Sequence, residues 1–379
     1  TAAGDDAFVV KFNVSINNPP DKPIATSPED EAIFPEGAMV TLKAGAFSDP
    51  DSDDHGNSYW EVERNDSGEL LPSYDPPNET GLTQHTVADT LDPGLKYAWR
   101  VRYEDVNGAK STWSGIRTFK VGTSVPESLP EIIAGETMVD FGMISIVHWP
   151  DDPSPAKVFN IKYDPRYYKI GTYDPESGSY IEFGDGLEIE PGRSYWMLAR
   201  EGLSVNFNGI KVSKVVPIEV CLHHNGSATS PDGWNMIAPP NDANYRWGDI
   251  EVGVLNEETA EFIAPVPIST LTDDTIIDRR VWAWNAGVYV SYLNNTDFEL
   301  ERYKGYWVKA VKEGAYLVFP ESAQVVLSQP ASNRAAYSSG KVVAADDGPP
   351  MPIGALVENE TDNFFSGCFI EIASDFNQF

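Results

Sequence analysis

Pro191-Gly-Arg-Ser-Tyr-Trp-Met-Leu198 and Tyr303-Lys-Gly-Tyr-Trp-Val-Lys309 are two versions of one strand, and each closes a segment that the chain uses twice. Upstream of each lies a Gly-aromatic hairpin, Ser177-Gly-Ser-Tyr180 and Ala286-Gly-Val-Tyr289. Further upstream, Gly142-Met-Ile-Ser-Ile146 returns as Gly233-Trp-Asn-Met-Ile237. Three segments recurring in one order, with their own turns and core strands, mark a duplicated domain. The offset between copies grows from 91 residues at Gly142 to 111 at Tyr195, which places 20 extra residues in the second copy, expected in Glu251–Asp278. Alternation puts Trp196 and Trp307 on one face and Tyr195 and Tyr306 on the other. We expect the tryptophans in the core and the tyrosines exposed. Alignment on the glycines places Met143 on Trp234.

Composition agrees with an all-β chain. Of 379 residues, 12% are aromatic, and there are 30 Gly and 29 Pro. Many aromatics among many turn formers suit short strands joined by tight turns. No long stretch carries a 3.6-residue apolar period. The expected architecture is a series of tandem β-sandwich domains of immunoglobulin/fibronectin type in an elongated, multi-domain chain.

The net charge is −31, from 27 Lys plus Arg against 58 Asp plus Glu. Such a surface repels nucleic acid and anionic membranes, and it favours solubility in salty or calcium-rich surroundings. No 18-residue apolar run exists, so no membrane span is expected. No secretory leader is visible at Thr1, as expected of a mature or trimmed chain. The two cysteines, Cys221 and Cys368, can form a disulfide, but their spacing does not show it. Six Asn-x-Ser/Thr sequons begin at Asn13, Asn65, Asn78, Asn225, Asn294 and Asn359, compatible with a glycosylated extracellular surface.

Along the chain, residues 1–22 read as one strand and a Pro-rich joint. In Ala7–Ile16 the apolar Phe8, Val10, Phe12, Val14 and Ile16 alternate. Such a strand needs a sheet. It can pair within the chain, complete an upstream domain, or be donated to a neighbouring subunit. Residues 23–121 read as one β-sandwich, with strands at Ala38–Ala44, Ser58–Glu63, Gln84–Val87, Lys96–Glu104 and Ile116–Val121. Residues 122–130 read as a linker. Copy one of the repeat follows at 131–217, copy two at 218–328, and a linker and tail at 329–379.

Three resemblances accompany this reading. Ala46-Phe-Ser-Asp-Pro-Asp-Ser-Asp-Asp-His55, Trp60, Leu91-Asp-Pro-Gly-Leu-Lys-Tyr-Ala-Trp-Arg-Val-Arg102, Asp105-Val-Asn-Gly108, Trp113-Ser114 and Phe119 make the first domain resemble the fibronectin type III modules of secreted bacterial proteins. The repeat, with its Gly-Trp-Asn and Gly-Tyr-Trp-Val strands, resembles β-sandwich modules of secreted bacterial surface proteins. Ser366-Gly-Cys-Phe-Ile370 resembles a Cys-Phe-Ile box near the C-terminus of such proteins, but it continues Glu371-Ile-Ala-Ser374 where the family has Ala-Thr-Ala-Ala-Tyr-Gly. These likenesses imply an extracellular or cell-surface location.

No nucleophile elbow, phosphate loop or metalloprotease motif occurs, and no catalytic residue is assigned. The sharpest candidate site is Asp49, Asp51, Asp53 and Asp54, whose alternating carboxylates can wrap oxygens around calcium. The competing reading is a solvated acidic turn. Cys221-Leu-His-His224 puts a thiol and an imidazole on one strand face, short of a four-ligand zinc site. Trp282 and Trp284 share a face, as do Tyr245 and Trp247, and exposed pairs of this kind can stack a glycan or another subunit.

The function read from these features is non-catalytic: a structural or adhesion protein of the cell surface, self-associating or binding other surface proteins, with assembly into a filament by strand addition. The alternatives are a carbohydrate-binding accessory region of a larger secreted enzyme, with polysaccharide as partner, and a plain spacer.

Overall fold

The computed structural model describes residues 17–74, 82–132, 142–160, 168–183, 186–199, 202–224, 233–256, 261–285, 287–294, 297–325, 341–342 and 348–350. The Ala7–Ile16 strand, Cys368 and the Cys-Phe-Ile box lie outside them. The fold is all-β, in tandem sandwiches, as the turn-rich composition requires.

In the first sandwich, β1 (Ala25–Ser27), β3 (Thr41–Ala44) and β5 (Gln84–Thr86) form one sheet, in the order β1-β3-β5. The other sheet runs β2-β7-β6-β4, from Ala32–Phe34, Arg117–Val121, Lys96–Asp105 and His55–Arg64. Trp60 and Trp99 are buried between them with ring centres 6.1 Å apart.

The stretch read as a linker is itself a strand. β8 (Ser124–Ser128) pairs antiparallel with β14 (Asn206–Lys211), which also pairs with β10 (His148–Pro150). Alternating side chains, Val125 and Glu127 among them, suit a pleated surface, and Pro126 within this edge strand and Pro130 beyond it mislead as loop signals. The facing sheet runs β12-β11-β13-β9, from Ser179–Glu182, Tyr168–Asp174, Tyr195–Ala199 and Gly142–Ile144.

The second copy repeats this plan. Its sheets contain β15 (Ile218–Cys221), β24 (Ala315–Phe319) and β18 (Glu251–Asn256), then β16 (Trp234–Ile237), β23 (Tyr306–Lys309), β20 (Val281–Asn285) and β21 (Val288–Tyr292). The order β21-β20-β23-β16 matches β12-β11-β13-β9, and β18-β24-β15 matches β10-β14-β8. The additional hairpin strand β19 (Glu261–Pro267) falls where the extra residues are expected. The glycine alignment is corrected by the register. Trp196 pairs with Met143, and Trp307 pairs with Met236. Met143 therefore corresponds to Met236, two residues beyond Trp234. A slip of two keeps every side chain on its face, so the alternation pattern cannot detect it.

The same turn fixes a tyrosine in all three modules. Backbone N–H groups of Asp92, Glu190 and Glu301 each donate to a tyrosine hydroxyl five residues on, that of Tyr97, Tyr195 and Tyr306, at 2.8 Å. A ring that reaches back under its own turn must lie inside. Tyr195 and Tyr306 are accordingly buried in the sandwich cores, against the expectation of exposure. Their neighbours Trp196 and Trp307 point out of the sandwiches and are buried by something else.

That something is the other copy. Trp196, Tyr173 and Met143 from copy one pack with Trp307, Trp282, Trp234, Tyr289 and Met236 from copy two, with Trp284 beside them. The contacts come in equivalent pairs. Trp196 meets Trp284 edge-on at 5.3 Å, and Trp307 meets Tyr173 at 5.4 Å. Tyr173 and Trp284 are counterparts, each paired across its hairpin with Tyr180 or Tyr289. The backbone follows suit. Ser145 N–H donates to Tyr303 C=O at 3.2 Å, and Ala238 N–H donates to Gly192 C=O at 2.9 Å. Tyr303 holds a left-handed φ of 64° where the first copy has Gly192 at 83°. The two copies are thus related by a local two-fold. At its centre the backbones come very close, and a Cβ on Gly305 would lie 2.4 Å from Cβ of its counterpart Ser194.

The first sandwich is also fastened to the repeat. Trp149, Ile210, Val212 and Ile218 extend its apolar core, and the Trp149 indole donates to Gly94 C=O at 3.2 Å. Arg64 donates to Pro217 C=O at 2.7 Å.

Candidate functional site

The acidic turn sits between β3 and β4, where Pro50 and the left-handed Ser52 reverse the chain. Asp49, Asp51 and Asp53 can each bring one carboxylate oxygen within 4.8 Å of the others, the one such group of metal-ligating side chains among the described residues. Asp49 Oδ1 accepts the N–H of Asp51 at 2.7 Å, which folds the turn onto its own backbone. Asp49 Oδ2 is enclosed without a hydrogen-bond partner. Asp54 stands apart, exposed, with its carbonyl accepting from Val106 N–H.

The turn also holds the incoming chain. Asn18 donates to Asp51 through its backbone N–H at 2.6 Å and its side-chain amide at 3.0 Å. The backbone bond, then the side-chain bond, hold the Asp51 carboxyl below the usual range. Asn17 donates to Asp105, which is buried and accepts N–H groups of Asn107 and Ala109. Asn17 and Asn18, the first described residues, are therefore held against the acidic turn and Asp105.

Three carboxylates converging with so little positive compensation suit a hard, oxygen-seeking cation, and calcium fits by donor type. Millimolar calcium is expected to raise the melting temperature of the first module by about 2–4 °C relative to EDTA. The Asp51→Ala chain should show no such difference. Identical wild-type melts in calcium and EDTA would reduce the group to a solvated turn.

The predicted aromatic contacts are corrected. Tyr245, Trp247 and Trp282 are wholly enclosed, and Trp284 is half-buried in the seam between copies. Tyr245 and Trp247 lie in the copy-two core, where Trp247 donates to Arg279 C=O at 3.0 Å. A shared face is real in both pairs, but it is an inner face. The structure instead leaves Trp113 partly exposed on the first module, with the Arg100 and Arg102 guanidinium carbons 4.7 and 4.5 Å from its ring centre. Its spacing from β6 carried no periodic signal.

Elsewhere the chemistry is structural. Asn235 of the Gly-Trp-Asn strand accepts His223 N–H at 2.9 Å and donates to Gly233 C=O at 2.8 Å, tying two strands. The Asn294 amide is buried and donates to Ile268 C=O at 2.7 Å, so this sequon presents no free nitrogen to a glycan. Asn65 is exposed. Among the described residues Cys221 has no disulfide partner, and burial pushes its thiol ionisation up. His223 faces Glu176 at 3.5 Å rather than a metal cluster.

No family model matches the chain, and no curated protein matches it. Among solved structures it is similar to the fibronectin(III)-like modules of Clostridium thermocellum CbhA, at 14% identity over 27% of this chain and 99% of that one, with a TM-score of 0.19. It is similar to chicken CNTN1 FN1–FN3 domains at 12% identity, over 81% and 94% of the two chains, with a TM-score of 0.18. It is also similar to carbohydrate-binding modules of the β-sandwich superfamily at 13% identity, over 82% and 98%, with a TM-score of 0.22. Among the described residues, no helix is long and apolar enough to cross a membrane.

Proposed function

We propose that this chain is a non-catalytic structural or adhesive protein of the extracellular space or cell surface. One observation carries the reading. Trp196, Trp234, Trp282 and Trp307 are spent on joining one repeat copy to the other, where a binding cleft or active site would leave some of them facing solvent. Modules cemented in this way transmit force and hold a shape. The acidic surface keeps them soluble. Calcium at Asp49, Asp51 and Asp53 would stiffen the point where the chain enters the first module. The Ala7–Ile16 stretch, whose apolar residues alternate in the sequence, is the segment proposed to add to a neighbouring subunit.

Deleting residues 1–16 tests this. The full chain is expected to form oligomers or filaments, seen by light scattering and electron microscopy, and the deleted chain is expected to be a folded monomer. A full chain that is monomeric at all concentrations, with deletion unfolding the first module, would place the strand inside its own sandwich and remove the assembly reading. The second reading, a carbohydrate-binding accessory region, is favoured by Trp113. In the same samples, retardation in a polysaccharide gel that Trp113→Ala removes would support it.

A further inference from the structure

The segment Gly348-Pro349-Pro350 lies on the seam between the two repeat copies. Pro349 is buried. A Cβ on Gly348 would sit 3.7 Å from Cζ3 of Trp282, so this residue rests against the indole. Pro350 C=O accepts two hydroxyls, from Tyr289 at 2.6 Å and from Tyr180 at 3.4 Å. These tyrosines are counterparts in the two copies. Twin donors reach one acceptor only where the local two-fold brings them together.

The chemistry of the crevice selects its occupant. Tryptophan and tyrosine faces offer apolar contact but few acceptors for a buried N–H. An ordinary peptide entering it would leave backbone donors unmet. Successive prolines have no N–H, and their fixed φ keeps the strand extended with little entropy left to lose. Only their carbonyls need partners, and the paired hydroxyls meet that of Pro350. Burial pushes both hydroxyls well above the usual tyrosine range, so they remain protonated donors. Aromatic grooves that take extended proline-rich strands work by the same physics.

We infer that the Tyr180–Tyr289 pair is a peptide-binding site for an extended proline-rich segment, and that the chain fills it with its own Gly348-Pro349-Pro350. The tether is short. Lys341–Val342 pairs antiparallel with Val290–Ser291 at the edge of the same sheet. A ligand held in this way acts at an effective concentration on the order of millimolar.

The test uses the full chain with Pro349→Asp and Pro350→Asp to vacate the crevice. The probe is a fluorescent peptide of residues 347–352, Asp-Gly-Pro-Pro-Met-Pro. Anisotropy is expected to show saturable binding to this variant and at least tenfold weaker binding to the wild type, whose site is filled. Adding Tyr180→Phe and Tyr289→Phe should weaken binding to the vacated variant at least tenfold. Absence of saturable binding by a variant with native tryptophan emission would overturn the inference, as would binding indifferent to the hydroxyls. Should the Asp variant lose its native emission, Tyr180→Phe/Tyr289→Phe in the otherwise wild-type chain decides. Tryptic cleavage after Lys341 is expected to accelerate at least tenfold, and an unchanged rate refutes the latch.

Discussion

Glu31→Ala is expected to destabilise the chain by about 3–5 kcal/mol, the range for removing one partner of a buried ion pair. Glu31 is one carboxylate serving two ammonium groups. Its Oε1 lies 2.8 Å from Lys96 Nζ and its Oε2 lies 2.8 Å from Lys120 Nζ. Lys120 is 1% exposed and also donates to the backbone carbonyls of Pro150 and Asp151 in copy one. Lys96 reaches Glu190 of the same copy at 3.2 Å. Without Glu31, Lys120 keeps only carbonyl partners for a buried charge, at the joint between the first sandwich and the repeat.

Acid should produce part of the same loss. Burial pushes the Glu31 carboxyl up, but the charge of Lys96 and hydrogen bonds from Lys120, Lys96 and Thr118 override it and bring its pKa to about 2, from 4.5. A folded pKa below the unfolded one means stability that is complete above about 4.5 and is lost as pH falls towards 2. The difference is worth on the order of 3 kcal/mol. Urea melts at pH 7 and pH 3 should show a steeper decline for wild type than for Glu31→Gln. Parallel declines would mean that the joint does not depend on this carboxylate.

Trp196→Ala and Trp307→Ala should each cost about 3–5 kcal/mol, as for other fully buried large aromatics. Each leaves a void at the same local two-fold, so the double variant should lose less than the two single losses combined. The seam couples the copies, and its loss should turn one unfolding transition into two. Calorimetry of the three variants measures both effects. A loss below about 1 kcal/mol for either single variant would mean that the seam is not a packed interface.

Duplication, the β-rich character and several strands of the first sandwich were legible because period-two alternation and turn residues are local signals. The acidic turn was legible for the same reason, except that Asp54 diverges from the other three. What local signals cannot carry is the choice of inside and outside. At Tyr195-Trp196 and Tyr306-Trp307 both side chains are large and apolar, so alternation separates the faces without ranking them. The hydroxyl contact to the preceding turn decides the ranking for Tyr195 and Tyr306, and packing of one copy on the other hides the tryptophans. Trp282 fails as a glycan contact on the same ground. Nor can one sequence reveal that Tyr180 and Tyr289, far apart in the chain, meet over Pro350.

Ser194 and Gly305 give the seam a polarity. On a true two-fold, a residue at the centre would face itself. Here a serine faces a glycine because the gap admits one side chain and not two. Two first copies brought together would set serine against serine and collide, and two second copies would leave the centre hollow. The halves behave as plug and socket, each fitted to the other and ill-suited to its own kind. The connection therefore saturates within a single chain, and a longer array of such modules would have to grow by pairs.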